Sequence, residues 1–352
     1  MSPKSFVGFT LLTAVIVVAA SFSIVSRYGD AVSSGTDERL FPGLIAQVNE
    51  ITEVNYKDKD LALAVKRDGD NWAITDRDNY LADPEVVRNL LVGLSELRLG
   101  EPKTKVKERY GRLAVEDITE EDAKSRLVTL KTGGGDTAAE VIVGRETQDV
   151  AGGTGIGVYV RKPGEERAWL ASGRLTVPAA VKDWVSPEFM NVDPKRIAGA
   201  TIRHADGDVM EIERITPTGS KFRIVDLDPN AKVKFASDID NVADALENLE
   251  LEDIKKAGDV EFPADKLVKT EYRTTDGLII NAESFETEDT FFWARYKARA
   301  ADDAPPEMKA KAEKEAAGIN ARVSPWVYRI PAFKYRYMSR RVKDVLEEES
   351  KS

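Results

Sequence analysis

The chain has 352 residues, 42% of them hydrophobic, so it is long enough for two ordinary domains with real cores and is not a disordered polymer. Its net charge of −10 disfavours nucleic acid as a partner, because binding a phosphate backbone requires a concentrated basic face. Cysteine is absent and histidine occurs once, which removes disulfides, thiol nucleophiles, thiolate metal sites and two-histidine metal motifs.

The first element is residues 6–25, FVGFTLLTAVIVVAASFSIV, an uncharged run that begins at Phe6 and ends at Val25. As a helix it is roughly 30 Å long, the thickness of a bilayer core. Lys4 precedes it and Arg27 follows, with Asp30, Asp37 and Glu38 beyond, so the flanks place the N-terminus weakly on the cytoplasmic side. The expectation is a single transmembrane anchor over 1–27 with the rest of the chain outside the cytoplasm. The other reading is a cleaved secretory signal ending at small residues such as Ala19, Ala20, Ser21 and Ser23, which gives the same compartment. Residues 28–39, small and polar at first, read as a tether.

Two successions of similar signals follow. In the first, over 40–190, residues 45–56 and 61–65 alternate as strands, and Asp68, Gly69, Asp70 and Asn71 turn the chain into a partner strand carrying Trp72 and Ile74. Asp83 and Pro84 then open a helix whose apolar face is Val86, Val87, Leu90, Leu91, Leu94 and Leu97. Strands at 126–131 and 140–143 are joined across Gly133, Gly134 and Gly135, and strands at 157–161 and 168–171 across Pro163 and Gly164. A short helix with Pro178, Val181, Trp184 and Val185 closes the pass.

The second succession, over 191–346, repeats this order. Strands are expected at 198–202 and 209–214, with Phe222 and Ile224 standing where Trp72 and Ile74 stood. Ser237 is read as the cap of a helix with Ile239, Val242, Leu246 and Leu249 on one face. Strands at 268–274 and 278–283 follow, then 291–296 and 326–330, and residues 338–346 are read as the closing helix. The two passes predict an α+β fold: a tandem duplicated module of antiparallel meander sheet covered by helices. An insertion at 297–324 interrupts the second copy; in it Pro305 and Pro306 introduce a helix over about 307–317, ended by Gly318, with almost no large apolar face to bury. It reads as a solvated excursion, with a docking element for a partner as the sharper alternative. Residues 347–352 form an acidic tail.

The chemical motifs are weak. Gly153, Gly155 and Gly157 precede a strand instead of linking a strand to a helix, so no helix amides face an anion. Asp226, Asp228 and Asn230 have the opening spacing of a calcium loop, but Ala231 replaces the glycine and Ser237 the final glutamate. His204 lies at a strand end beside Asp206 and Asp208 and receives no role. No catalytic residue, cofactor or metal is expected. The most unusual local composition is Phe333, Lys334, Tyr335, Arg336, Tyr337, Arg340 and Arg341. Read as a strand, its aromatic side chains share one face and its cations the other, the usual pattern of core plus solvated edge. The alternative is a candidate partner surface, for a protein rather than anionic lipid because the acidic tail opposes lipid attraction.

The anchor, the segment NWAITDRDNYLADPEVVRNLLVGLSELRL, the hairpin GVYVRKPGEERAWL and the closing PAAVKDWVSPEFMNVDPKRIAGATI together resemble the domain of unknown function 4340 family, from the anchor to about Lys343. Its markers here are Trp72, Tyr159 and Trp184; the proline often found shortly after the Trp72-like position is missing. The resemblance implies a bacterial inner-membrane protein with one N-terminal span and a repeated periplasmic α+β module, often encoded beside ABC-type transporter subunits of the gliding-motility or auxiliary kind. The function expected on these grounds is a non-enzymatic periplasmic interaction subunit auxiliary to an ABC-type export complex. The alternatives are an envelope glycan-binding protein or carboxylate-based hydrolase, and a spacer between membrane and wall.

Overall fold

The computed structural model describes residues 38–148, 155–217, 219–228 and 231–347. The expected anchor at 6–25 and most of the tether and acidic tail lie outside the described residues. By internal contacts the chain divides into two compact units, Met1–Asp76 with Pro84–Val177, and Arg77–Asp83 with Pro178–Ser352.

The first unit begins with a one-turn helix α1 (Leu44–Gln47) and a 3-10 turn (Val48–Glu50). The strand expected from residue 45 therefore starts only at β1 (Ile51–Lys57). Gly43 and buried Leu44 start a helical turn that leaves Ile45 47% exposed, so its apolar character contributes to no alternating face. β2 (Ala62–Asp68) and β3 (Asn71–Ile74) complete a three-strand meander through the turn at Gly69, whose φ of 61° suits glycine. β4 (Tyr80–Ala82) lies in the segment that belongs to the second unit. The helix α2 (Pro84–Glu96) opens on the expected proline and buries Val87, Leu90, Leu91 and Leu94 along one stripe. β5 (Arg98–Pro102), β6 (Arg126–Thr132), β7 (Thr137–Thr147), β8 (Gly157–Arg161) and β9 (Ala168–Ser172) follow. Within the unit the order is β3-β2-β1-β6-β7-β8-β9-β5. Every neighbouring pair in this order is antiparallel.

The core lies on one face of this sheet, where Val54, Tyr56, Val128, Leu130, Val141, Val143, Val158 and Val160 alternate inward. The far side carries a smaller cluster of Tyr110, Val115, Ile142 and Ala168. Gly144 permits it, because a Cβ there would fall 2.2 Å from the Leu113 carbonyl oxygen. Arg161 fastens the crossing chain by donating to Val115 O (2.9 Å) and to Asp117 (2.6 Å), with its guanidinium over the Tyr110 ring.

The second unit contains the 3-10 turn Val181–Trp184, which the sequence reading attached to the first pass. Trp184 is completely buried, and its carbonyl accepts from Asp83 N (2.8 Å). β10 (Glu188–Met190) is followed by β11 (Ile197–His204), β12 (Val209–Arg214) and β13 (Phe222–Ile224). The helix α3 (Ser237–Ala243) has Ser237 inside it and no side-chain cap; Asp240 instead accepts from Phe222 N (3.0 Å) and Lys221 Nζ (2.7 Å). Leu246 continues in a 3-10 turn (Asp244–Leu246), while Leu249 leaves the helix and pairs with β10 as β14 (Leu249–Glu250). β15 (Asp253–Lys256), β16 (Val268–Thr274), β17 (Leu278–Glu286), β18 (Phe292–Ala300), α4 (Pro306–Val323), β19 (Trp326–Arg329), α5 (Ala332–Met338) and α6 (Val342–Val345) complete it. Its sheet order is β13-β12-β11-β16-β17-β18-β19-β15. Position for position this is the connectivity of the first unit, with a helix after the third strand in each.

The excursion after β18 is a packed element. α4 runs through Gly318 to Val323 and buries Ala312, Ala316, Ile319 and Val323, so it is neither solvated nor ended at Gly318. β19 pairs with β18 only at Trp293 and Ala294, which leaves the rest of that edge open, and α4 lies against it. Asn320 takes the place of a strand: its Oδ1 accepts from Ala298 N and its Nδ2 donates to Ala298 O, both at 2.8 Å. Arg196 ties the helix further by bidentate bonds to Glu315 (2.9 and 2.8 Å).

Candidate functional site

The aromatic and basic stretch near the C-terminus is helical rather than extended, and its closing helix is two short ones, α5 and α6, separated by Ser339 to Arg341. Pro331, with extended backbone, precedes α5 and suits a helix start. The helical period of 3.6 sorts the side chains differently from a strand. Lys334 and Met338, four apart, turn inward and are buried, while Phe333 and Tyr337 pair on another face with ring centroids 5.8 Å apart.

Four of the seven candidate residues fasten the helix to its own unit. Lys334 Nζ donates to Asp244 O (2.8 Å), which also accepts from Glu247 N (3.2 Å), and to Glu247 O, both carbonyls at the end of the α3 run. Burial lowers its pKa, against the opposing pull of Glu247, Asp244 and Glu250. Tyr335 stacks on Phe292 (4.5 Å), and burial raises its phenol pKa. Arg340 meets Asp238 at 3.3 Å, and Arg341 meets Asp206 at 2.8 Å and Asp208 at 2.9 Å. Phe333, Arg336 and Tyr337 remain for the outside: Phe333 is 45% exposed, Arg336 is exposed and Tyr337 is half-buried.

Below these cations is a polar cleft of about 250 Å³ bordered by His204, Asp206, Asp265, Lys266, Tyr335 and Arg341. His204 Nε2 is shielded from solvent and has no hydrogen-bond partner. Burial lowers the imidazole pKa, and the Arg341 cation adds to it; a backbone bond to Arg340 and the carboxylates of Asp208 and Asp206 act in the opposite direction. His204 is therefore neutral at pH 7 and supports the C-terminal anchorage.

The weaker motifs form ordinary turns. Asp226, at φ 56°, turns the chain after β13, and Asn230 lies outside the described residues. Gly157 opens β8, as expected, and Gly153 also lies outside the described residues. Among the described residues no group of three or more His, Asp or Glu is placed to hold a metal ion.

One surface was not singled out by the sequence. The solvent face of the second sheet carries a row in which Arg203, Lys269, Glu283 and Arg295 are successive cross-strand partners on β11, β16, β17 and β18. In the next row Thr201, Glu271, Asn281 and Lys297 are partners in the same way. A cavity of about 620 Å³ lies over the two rows, with Ala257 and Ser324 at its margin. The available signal was the period-two placement of cations in VKTEYRT and FWARYKARA.

The model of the family described as "Domain of unknown function (DUF4340)" matches residues 72–270, more than half of the chain. The protein belongs to this family. The match is narrower than the resemblance suggested: it includes Trp72, Tyr159 and Trp184 but neither residues 6–25 nor the α5 surface. No curated protein and no solved structure matches the chain.

Proposed function

We propose that this DUF4340 protein is a non-enzymatic, membrane-anchored interaction subunit, held in the bacterial inner membrane by residues 6–25 with its two units in the periplasm, and auxiliary to an ABC-type export complex of the gliding-motility kind. The observation that carries the reading is the exposed face of α5. Phe333, Arg336 and Tyr337 are presented on a helix whose other side is fixed by Lys334, Tyr335, Arg340 and Arg341. Aromatic and arginine side chains held at little further entropic cost are the residues that dominate protein interfaces. Among the described residues no helix is long and apolar enough to cross a membrane, so the anchor rests on the sequence of 6–25. The reading includes a duplication of one α+β module; the equal strand order of the two sheets supports it.

The test is crosslinking in intact cells through a photoreactive residue placed in turn at Phe333, Arg336 and Tyr337, and at exposed positions of α4 such as Lys314, followed by mass spectrometry. Crosslinks from α5 to transmembrane subunits of an ABC-type transporter are expected. Crosslinks only to this chain or to wall material would replace the reading with a spacer or a glycan binder.

A further inference from the structure

We propose that the solvent face of the second sheet is a binding site for a small polyanion, a ligand carrying at least two carboxylate or phosphate groups. The argument starts from a local conflict. Arg203 and Lys269 are direct cross-strand partners on β11 and β16 with side chains on the same face, and like charges so placed repel. A folded sheet relieves such a pair with a neighbouring carboxylate, and here the relief is incomplete. Glu283 lies 3.6 Å from Lys269, but it is shared with Arg295, whose Nε donates to it at 2.7 Å. Arg203 has no carboxylate partner among the described residues, and neither has Lys297 in the next row. Glu271, the carboxylate of the second row, is bound by Arg299 at 3.2 Å and lies 3.8 Å from Arg273.

The cavity lining therefore holds four cations, Arg203, Lys269, Arg295 and Lys297, against two carboxylates, Glu271 and Glu283. This local excess is positive in a chain whose net charge is −10. The cations are unequal in freedom. Arg203, Arg295 and Lys297 are all exposed, but Arg295 is held by Glu283 and by the Phe262 ring, 4.2 Å from its guanidinium carbon, whereas Arg203 and Lys297 have no carboxylate partner among the described residues. These two stand on the outer strands of the set in adjacent rows, three strand spacings and two residues or about 16 Å apart, and both line the cavity. A ligand with two separated anionic groups reaches both cations, and a single small anion reaches one. The volume of about 620 Å³ lies within the usual range for small-ligand sites. The site is remote in sequence from the α5 surface and is independent of the transporter reading.

The test is calorimetric titration of the full-length protein in detergent with citrate and with pyrophosphate, at constant ionic strength, with acetate as the single-anion control. Saturable 1:1 binding of citrate or pyrophosphate is expected, weakened at least about tenfold by R203A or K297A, with no saturable acetate binding. The tighter probe assigns the carboxylate or the phosphate class. In the absence of ligand R203A is expected to leave the melting temperature unchanged or to raise it, since it removes a repulsion, and this also checks that the variant folds. No saturable binding of either polyanion, equal binding by the variants, or acetate binding as well as citrate would overturn the proposal.

Discussion

At the residue scale, two ionisable groups, His204 and Glu53, both make the fold less stable as pH falls, each in its own pH window. The His204 pKa is lowered below its usual 6.5 by burial and Arg341, so the unfolded chain takes up a proton in a range where the folded chain does not. Stability is then unaffected by this group above about pH 6.5 and falls as pH drops below that value. Because it is the one histidine in the chain, the effect is separable: H204Q is expected to flatten the stability profile between pH 7 and 5, measured by chemical denaturation. An equally steep profile in H204Q would refute the assignment. Glu53 acts in the same direction, in a lower pH range. Asn55 donates to it at 2.7 Å, and together with Lys66 and Lys131 it holds the carboxyl at about 2 against an opposing effect of burial. Its contribution is present above about pH 4.5 and is lost as pH falls towards 2, so it does not interfere with the histidine window.

At the element scale, α4 shows why an apparently polar helix packs. Its buried positions Ala312, Ala316, Ile319 and Val323 form a narrow stripe of mostly small side chains, which lets the helix approach the edge of β18 closely. The cost of Gly318 in mid-helix, about 1 kcal/mol, is offset by the burial of Ile319 and Val323 beyond it. The sequence showed the helix but not its length or its partner, since a stripe with two alanines has little periodic signal. Asn320 is the decisive residue, because it satisfies both backbone groups of Ala298. N320A leaves them without those partners and is expected to lower stability by about 1–3 kcal/mol in denaturant melts. A loss below about 0.5 kcal/mol would mean that water replaces the amide and that α4 does not seal this edge. The α5 segment teaches a related lesson. Its alternation of aromatic and basic residues fits a strand, yet as a helix it brings Lys334 to the Asp244 and Glu247 carbonyls at the end of the α3 run.

At the scale of the whole molecule, the chain is not cut into units at a single point. Arg77–Asp83 belongs with the second unit although the residues on either side of it belong to the first. Arg77 pairs with Asp253 on β15 (2.7 and 3.3 Å), and Tyr80 packs edge-on against Trp326 (5.0 Å) on β19. Both ends of the ion pair are mostly buried, so breaking it leaves a shielded charge. R77A is expected to cost about 1–3 kcal/mol and to speed amide hydrogen exchange in β15 and β19 while leaving β6 and β7 unchanged. Equal acceleration in both units would show that the segment does not belong to the second alone.

Local patterns sufficed for much of this fold. Alternating strands, the glycine turns at Gly69, Gly135 and Gly277, the Pro84 helix and the family markers are all legible within windows of about ten residues. They are legible because each depends on backbone preference and on which face is apolar. Long-range packing specified the rest: the helical state of α5, the burial of Lys334, the membership of 77–83 and 178–190, and the assembly of Arg203, Lys269, Arg295 and Lys297 on one face. These features depend on partners between 12 and 176 residues away, such as Arg295 with Glu283 or Arg77 with Asp253, and nothing in the local sequence encodes which groups will be neighbours once the strands are in register.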